Sequence, residues 1–379
     1  MRLRSDLGGR WVWPVGSGSK LRWVVVWTWS VLALVLLAAC GVSDSGYQVV
    51  VDGLNHPRGL VLRADGTLCV AEAGRLAVGQ EPKEGPTTNL AATGAVTCVD
   101  SAGRRTAAVE GLPFVFYNVT GVTTGPADLV EMEGDLFLLT GEGHVDPARS
   151  ILKLSAPPVP PEVVADLLAF ATETAVLGFF DEIDILSNPY AMVSDPQDRR
   201  FLVTDGATGQ IMAAGLDGRI QIFSQVEGHE VLTGITWGPD GLYVASFSQL
   251  PHAESTGAIL RLDPDGSFDV AIDDVTTPID LAFDTKGRLY VLEFVSAAES
   301  GFPYPARTGR LLRFDRRGDG WSNGLVLVEG LPFPTALLID DQDRGFVSVH
   351  GAFSSPESGL VIRFDDLVGE SASGFPLEY

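Results

Sequence analysis

Six copies of one phrase lie between residues 55 and 366, and no other feature limits the fold of this 379-residue chain as strongly. The copies open on Pro57-Arg58-Gly59-Leu60, Pro126-Ala127-Asp128-Leu129, Pro189-Tyr190-Ala191-Met192, Leu232-Thr233-Gly234-Ile235, Pro278-Ile279-Asp280-Leu281 and Pro334-Thr335-Ala336-Leu337. A polar turn follows each opening. Asp65-Gly66 and Asp240-Gly241 are examples, and Asp-Gly supplies the positive φ that tight hairpins require. Next comes a strand apolar on both faces, such as Leu136-Phe137-Leu138-Leu139 or Leu289-Tyr290-Val291-Leu292. The chain then restarts at a Thr-Gly or Ser-Gly step, as at Thr93-Gly94, Thr256-Gly257 and Ser358-Gly359. The spacing is near or above the about 40–50 residues of a propeller blade. Strands apolar on both faces fit sheets stacked between neighbours. The expectation is an all-β, six-bladed β-propeller over residues 47–366, with 367–379 as a C-terminal tail.

Residues 47–54 have no opening of their own, match the last strand of other copies such as 325–331, and precede a ring whose sixth copy stops after three strands. The N-terminal strand is therefore expected to complete the last blade, with Val49 and Val51 on its apolar face, leaving no free sheet edge. One segment breaks the pattern. Pro157-Pro158-Val159-Pro160-Pro161 leads into 162–173, where Val163, Leu167 and Phe170 share a helical face with Val164, Leu168 and Ala171. Pro161 and Glu162 suit a first turn, so a helix is expected over 162–173 in place of the second blade's outer strand, with Phe179-Phe180 anchoring the return.

Residues 1–22 carry five basic side chains and one acidic one, and residues 23–39 carry no charge and are rich in Val and Leu. The run ends at Leu37-Ala38-Ala39-Cys40, followed by a Gly/Ser/Asp spacer. A basic region, an apolar region and small residues before the cut describe a secretory signal over 1–39. The Cys directly after them resembles a bacterial lipobox, which makes Cys40 the expected lipidation site, 40–46 a spacer, and the propeller exported and membrane-attached through lipid alone. An uncleaved anchor helix is the competing reading, and seventeen apolar residues sit at the short limit for a span. Cleavage would leave 21 basic against 48 acidic residues, a net charge of −27. Such a chain repels polynucleotides, so no nucleic-acid partner is expected.

Carboxylates are the ligands Ca²⁺ prefers, yet the clusters around Asp263, Asp315 and Asp340 fall on predicted turns without calcium-loop spacing. Cys69 and Cys98 remain after lipidation. If Glu72 pairs with Ala95 across the first blade's hairpin, the two stand opposite each other, as a disulfide outside the cytoplasm or as two reduced core thiols.

In a propeller the first strands line the central channel, and the loops between second and third strands return to the face where they begin. These loops are long at 75–92, 142–149, 247–255, 294–307 and 350–357, and elaborated loops on a rigid scaffold are where binding sites sit. At the third position of the opening, four blades carry Gly or Ala, and two facing blades carry Asp128 and Asp280. Arg58 of the first blade could approach Asp128. The candidate ligand-binding set is therefore Arg58, Asp128 and Asp280 with Glu142, His144 and His350 from the loops, and Asp128 and Asp280 are the metal candidates. Channel carboxylates that hold neighbouring blades together are the structural alternative. Glu72, Asp205 and Glu293 end the second strand in three blades, a recurrence that points to a structural, turn-capping role. No nucleophile elbow, His-Glu-x-x-His helix or phosphate loop is present, so no catalytic residue is assigned.

Several phrases together resemble the ScyD/ScyE family of exported six-bladed propellers. They include Gly53-Leu54-Asn55-His56-Pro57-Arg58-Gly59-Leu60, Ala71-Glu72-Ala73-Gly74, Gly125-Pro126-Ala127-Asp128 and Gly234-Ile235-Thr236-Trp237-Gly238-Pro239-Asp240-Gly241. The likeness runs in order over about residues 47 to 366, although 75–92 lacks the cysteines common in that loop of the family. It implies a fold and an export route, and no reaction. A weaker resemblance is to NHL-repeat and gluconolactonase-type propellers, whose calcium lactonases project a Glu, two Asn and an Asp into the channel. No Asn stands at the opening positions here. The expected function is a non-catalytic binding propeller for a small molecule, glycan or protein on its loop-rich face, without a cofactor. The alternative is a Ca²⁺-assisted hydrolase, lactonase or lyase using the channel-mouth carboxylates.

Overall fold

The computed structural model describes residues 46–367 except 84, 86–87, 144, 157–158, 175–186, 196, 249–251 and 297–303, together with the backbone of Ser373 and Gly374. Cys40, His144 and the Phe179-Phe180 pair lie outside the described residues. Six antiparallel sheets form the six expected blades. Their first strands touch in sequence, and the sixth meets the first, so the ring is closed. Between adjacent blades lies one buried apolar cluster per joint, built from both faces of each second strand. This is why the second strands are apolar throughout.

The recurring Pro and Thr-Gly signals are two halves of the blade-to-blade joint. A Cβ on Gly94 would lie 2.6 Å from the Pro126 ring, on Gly257 2.4 Å from Pro278, on Gly309 2.5 Å from Pro334, and on Gly359 2.4 Å from Pro57. The glycine opening a third strand thus admits the proline opening the next blade. Where the fourth blade opens on Leu232, Gly209 has a positive φ and packs on Glu230 instead.

Gln48–Leu54 pairs with Gly359–Phe364 of the sixth blade, as expected. The face differs from the expectation. Val49 pairs with Ile362 and Val51 with Val361, so Val50 is a bulge that turns Val49 outward, 42% exposed, and Val51 inward. The same one-residue bulge recurs in the outer strand of every blade, at Ala108, Val164, Phe223, Ala271 and Leu327. An extra residue at the same depth in each blade adds twist to each outer strand there.

The helix expectation needs correction. Glu162–Asp166 is the second blade's outer strand, paired with Ser150–Leu154, and the helix covers only Leu167–Glu173. Its N-cap is Asp166, whose carboxylate accepts from the Ala169 N–H at 2.9 Å. In the first blade Glu72 does face Ala95, and Cys69 and Cys98 face each other with their sulfurs bonded at 2.04 Å. Ser373–Gly374 pairs in parallel with Val328 and Glu329 at the edge of the fifth blade.

Glu72, Asp205 and Glu293 tie the end of each second strand to the segment entering the same blade. Their carboxylates accept from the N–H groups of Asn55, Asn188 and Thr276, at 2.7, 3.0 and 2.7 Å. Thr97 Oγ1, Ser187 Oγ and Arg310 Nε add further donors. Recurrence at this position is structural.

Candidate functional site in the central channel

Five of the six openings carry one residue more than the strand they pair with. Pro57 faces Glu72 and Leu60 faces Val70; Pro126 faces Thr140 and Asp128 faces Leu139; Pro278 faces Glu293 and Asp280 faces Leu292. A bulge re-aims the side chains beside it, and here the second and third residues of the opening border the channel. The channel holds a cavity of about 330 Å³, lined by Arg58, Asp128, Tyr190, Asp280 and Glu142 among others. Towards the opposite face its wall ends at the partly exposed residues Trp237, Phe283, Leu338 and Ile339.

The third positions read Gly59, Asp128, Ala191, then Gly234, Asp280, Ala336, a two-fold repetition within the six-fold ring. Each triplet forms the same joint. Asp128 accepts from the N–H of Leu129 at 2.8 Å and of Met192, in the next blade, at 2.8 Å. Asp280 accepts from Leu281 at 2.9 Å and from Leu337, again in the next blade, at 2.7 Å. A Cβ on Gly59 would lie 2.0 Å from Asp128 Oδ1, and one on Gly234 2.3 Å from Asp280 Oδ1. Glycine precedes each Asp because the carboxylate fills the space a side chain would need.

Burial outweighs these hydrogen bonds and pushes the Asp128 carboxyl up to about 7 and the Asp280 carboxyl up to about 8; for Asp280 the charge of Asp128 adds to the rise. Both oxygens of each acid are directed at backbone N–H groups, and no cluster of three His, Cys, Asp or Glu suited to a metal occurs among the described residues. The pair does not fit a Ca²⁺ site.

The second positions break the two-fold repetition. Thr233 and Thr335 are buried and donate to the carbonyls of Pro278 at 2.8 Å and Pro57 at 2.7 Å, stitching each blade to the next. Their counterparts are Arg58 and Tyr190. Arg58 does not reach for Asp128. Its Nη2 donates to the Thr123 carbonyl at 2.6 Å and to Thr123 Oγ1 at 3.2 Å, and it forms no ion pair with a described carboxylate. Burial lowers its pKa. The Tyr190 hydroxyl has no hydrogen-bond partner among the described residues, and burial raises its pKa. Asp128, Asp280 and Arg58 all act electrostatically on this phenol, so the four groups share one space.

The loop residues divide. Glu142 lines the cavity and accepts from the Tyr117 hydroxyl at 2.9 Å, with Arg149 Nη2 3.9 Å away. His350 does not line it; its Nδ1 lies 3.3 Å from Ser354 Oγ, and burial lowers its pKa. Phe247, His252, Phe294, Tyr304, Phe333 and Phe353, all from connections on the face where the first strands begin, form a chain of ring contacts 4.9–6.3 Å between centroids. Over the fourth to sixth blades these described residues of the long loops thus form a core of their own, and the Tyr190 ring packs against the cluster containing Phe247, Phe294 and Phe333. Sequence reasoning missed Tyr190 and Thr123. Tyr190 shares the opening position of Arg58, a signal that was available. Thr123 arrives on a two-residue strand at the edge of the first blade and carries no motif.

No protein-family model matches the sequence, and no curated protein matches it. Solved structures with a similar fold include a putative oxidoreductase (glucose dehydrogenase) from Thermus thermophilus, at 14% identity, 84% of this chain, 98% of that one and a TM-score of 0.57. Another is the PQQ-bound aldose sugar dehydrogenase of Streptomyces coelicolor, at 15% identity, 83% and 96% coverage and a TM-score of 0.53. A third is a gluconolactonase from Xanthomonas campestris, at 14% identity, 84% and 88% coverage and a TM-score of 0.50. At these identities the likeness is one of fold alone: this chain is a six-bladed β-propeller.

Proposed function

We propose that this chain is an exported, lipid-anchored propeller of the ScyD/ScyE type that binds a small molecule in its central channel without transforming it. The observation that carries the reading is the cavity of about 330 Å³ at the ring's centre, where Arg58 and Tyr190 stand in place of the blade-stitching threonines. Small-molecule sites are concave spaces of about 300–1,000 Å³ with a few convergent polar groups. The channel is a better seat than the loop face, because the loops of three blades are packed into one another. Export and anchoring rest on the charge-free run before Cys40.

Two measurements test this. Denaturing the protein purified from its membrane fraction should release a small molecule detectable by mass spectrometry. Thr236→Trp, which narrows the channel from its wall, should yield protein that melts normally and retains at least tenfold less of it. Equal retention by the variant would place the ligand elsewhere, and an empty parent protein would remove the binding role. Independently, Cys40→Ser should move the protein from the detergent-rich phase to the aqueous one. An intact N-terminus upstream of Cys40 in the wild type would overturn the anchor.

A further inference from the structure

We propose that one end of the channel is a carboxylate pocket, in which Arg58 and Tyr190 grip the acid group of an organic anion whose apolar body runs towards Trp237 and Phe283. This rests on the channel-binding reading above and names its ligand class. The argument begins with unspent donors. Arg58 has five N–H hydrogens, and only those on Nη2 have acceptors, the carbonyl and hydroxyl oxygens of Thr123. That contact fixes the guanidinium plane and leaves Nε and Nη1 without a protein acceptor among the described residues. These two nitrogens donate from different edges of the guanidinium, so a carboxylate takes one of them, in a charge-assisted hydrogen bond about twice as strong as a neutral one. The Tyr190 hydroxyl adds a second donor.

Three acids also line the cavity, which at first favours a cation. Each is already committed. Asp128 and Asp280 receive two backbone N–H groups apiece, and burial favours their neutral forms. Glu142 is engaged by the Tyr117 hydroxyl and faces Arg149. Arg58 is thus the charge with capacity to spare. The rest of the ligand follows from the far end. Trp237 is 43% exposed there, its Nε1–H held by the Ser194 carbonyl at 2.8 Å, beside the half-buried Phe283. From the second to the sixth position of a first strand is about 13 Å at 3.3 Å per residue. An aromatic or short aliphatic acid spans that distance in part or whole.

The probes are 4-bromobenzoate, 4-bromobenzyl alcohol and 4-bromobenzylamine, titrated calorimetrically at pH 6 into the mature protein freed of retained ligand. Their positions are then located by bromine anomalous scattering in soaked crystals. The acid should bind at least tenfold more tightly than the alcohol and the amine, with its carboxylate on Arg58 and Tyr190. Arg58→Gln should weaken it tenfold or more and Tyr190→Phe about threefold, at unchanged melting temperatures. Arg58→Lys, which keeps the charge and loses the planar guanidinium fixed by Thr123, should fall between wild type and Arg58→Gln, and it serves if the Gln variant does not fold. Equal binding of acid and alcohol, both lost in Thr236→Trp, overturns the carboxylate pocket and leaves the channel reading standing. Preferential binding of the amine, or no acid in the channel at millimolar concentration, also overturns the pocket. The channel reading is then decided separately by the molecule retained from cells.

Discussion

Deleting residues 47–54 is expected to unfold the whole ring, not merely fray one edge of it. The segment supplies Tyr47, Val51 and Leu54, which are 7%, 4% and 0% exposed, to the sixth blade and its joints with the fifth and the first. Burying such side chains contributes about 1.5–3 kcal/mol each, so three are comparable with the about 5–15 kcal/mol that holds a typical domain together. Its loss also uncovers Gly359–Phe364 as an open edge, the usual template for aggregation. Residues 40–379 should therefore melt cooperatively, while 55–379 should be unfolded or insoluble by circular dichroism and light scattering. Val49→Thr is the matched control. Val49 is on the same strand but turned outward by the bulge at Val50, so this change should move stability by no more than about 0.5 kcal/mol. A truncated protein melting with its parent would show that another segment closes the ring.

That the ring closes at all was legible in the sequence, because the missing fourth strand of one copy and the orphan strand before another are a single observation. The Pro openings and Thr-Gly steps were legible for a similar reason. They are two surfaces of one contact, and repetition kept them in phase. What repetition does not carry was lost. In Glu162–Asp166 the bulge at Val164 breaks the alternation, so Val163 is 51% exposed and Ala165 2% exposed, and the broken period passes for a helical one beside the helix at Leu167. The same device misled at Val49. Within the channel, Asp128 and Asp280 stood out because their neighbours in the repeat are small. Arg58 was found too, but its partner was not. Thr123 reaches it through tertiary folding of a two-residue strand, and no spacing rule encodes that approach.

The ionisation of Asp128 and Asp280 should make the protein less stable as pH rises from about 4 to 8. A carboxyl lifted from 3.8 to about 7 or 8 on folding holds a proton in the native state that the unfolded chain has released. Across that interval the native state binds more protons, so stability falls with pH by linkage, and the loss is complete above the folded value. One unit corresponds to 1.36 kcal/mol, which sets an upper limit of about 4 kcal/mol for Asp128 and somewhat more for Asp280. The double variant Asp128→Asn, Asp280→Asn isolates this contribution from the repulsion of an acidic chain, which both proteins share. Each Asn can accept only one of the two N–H groups its Asp accepts and turns an amide donor towards the other, costing about 1 kcal/mol per site at any pH. The variant should thus be the less stable protein at pH 3 and the more stable one at pH 9, with the stability profiles crossing between. Parallel pH profiles would mean that the acids are ionised throughout and act only as hydrogen-bond acceptors between blades. In that case the two-fold pattern of Gly before Asp would be wholly a device of the joint, and Arg58 would face two full negative charges across the channel.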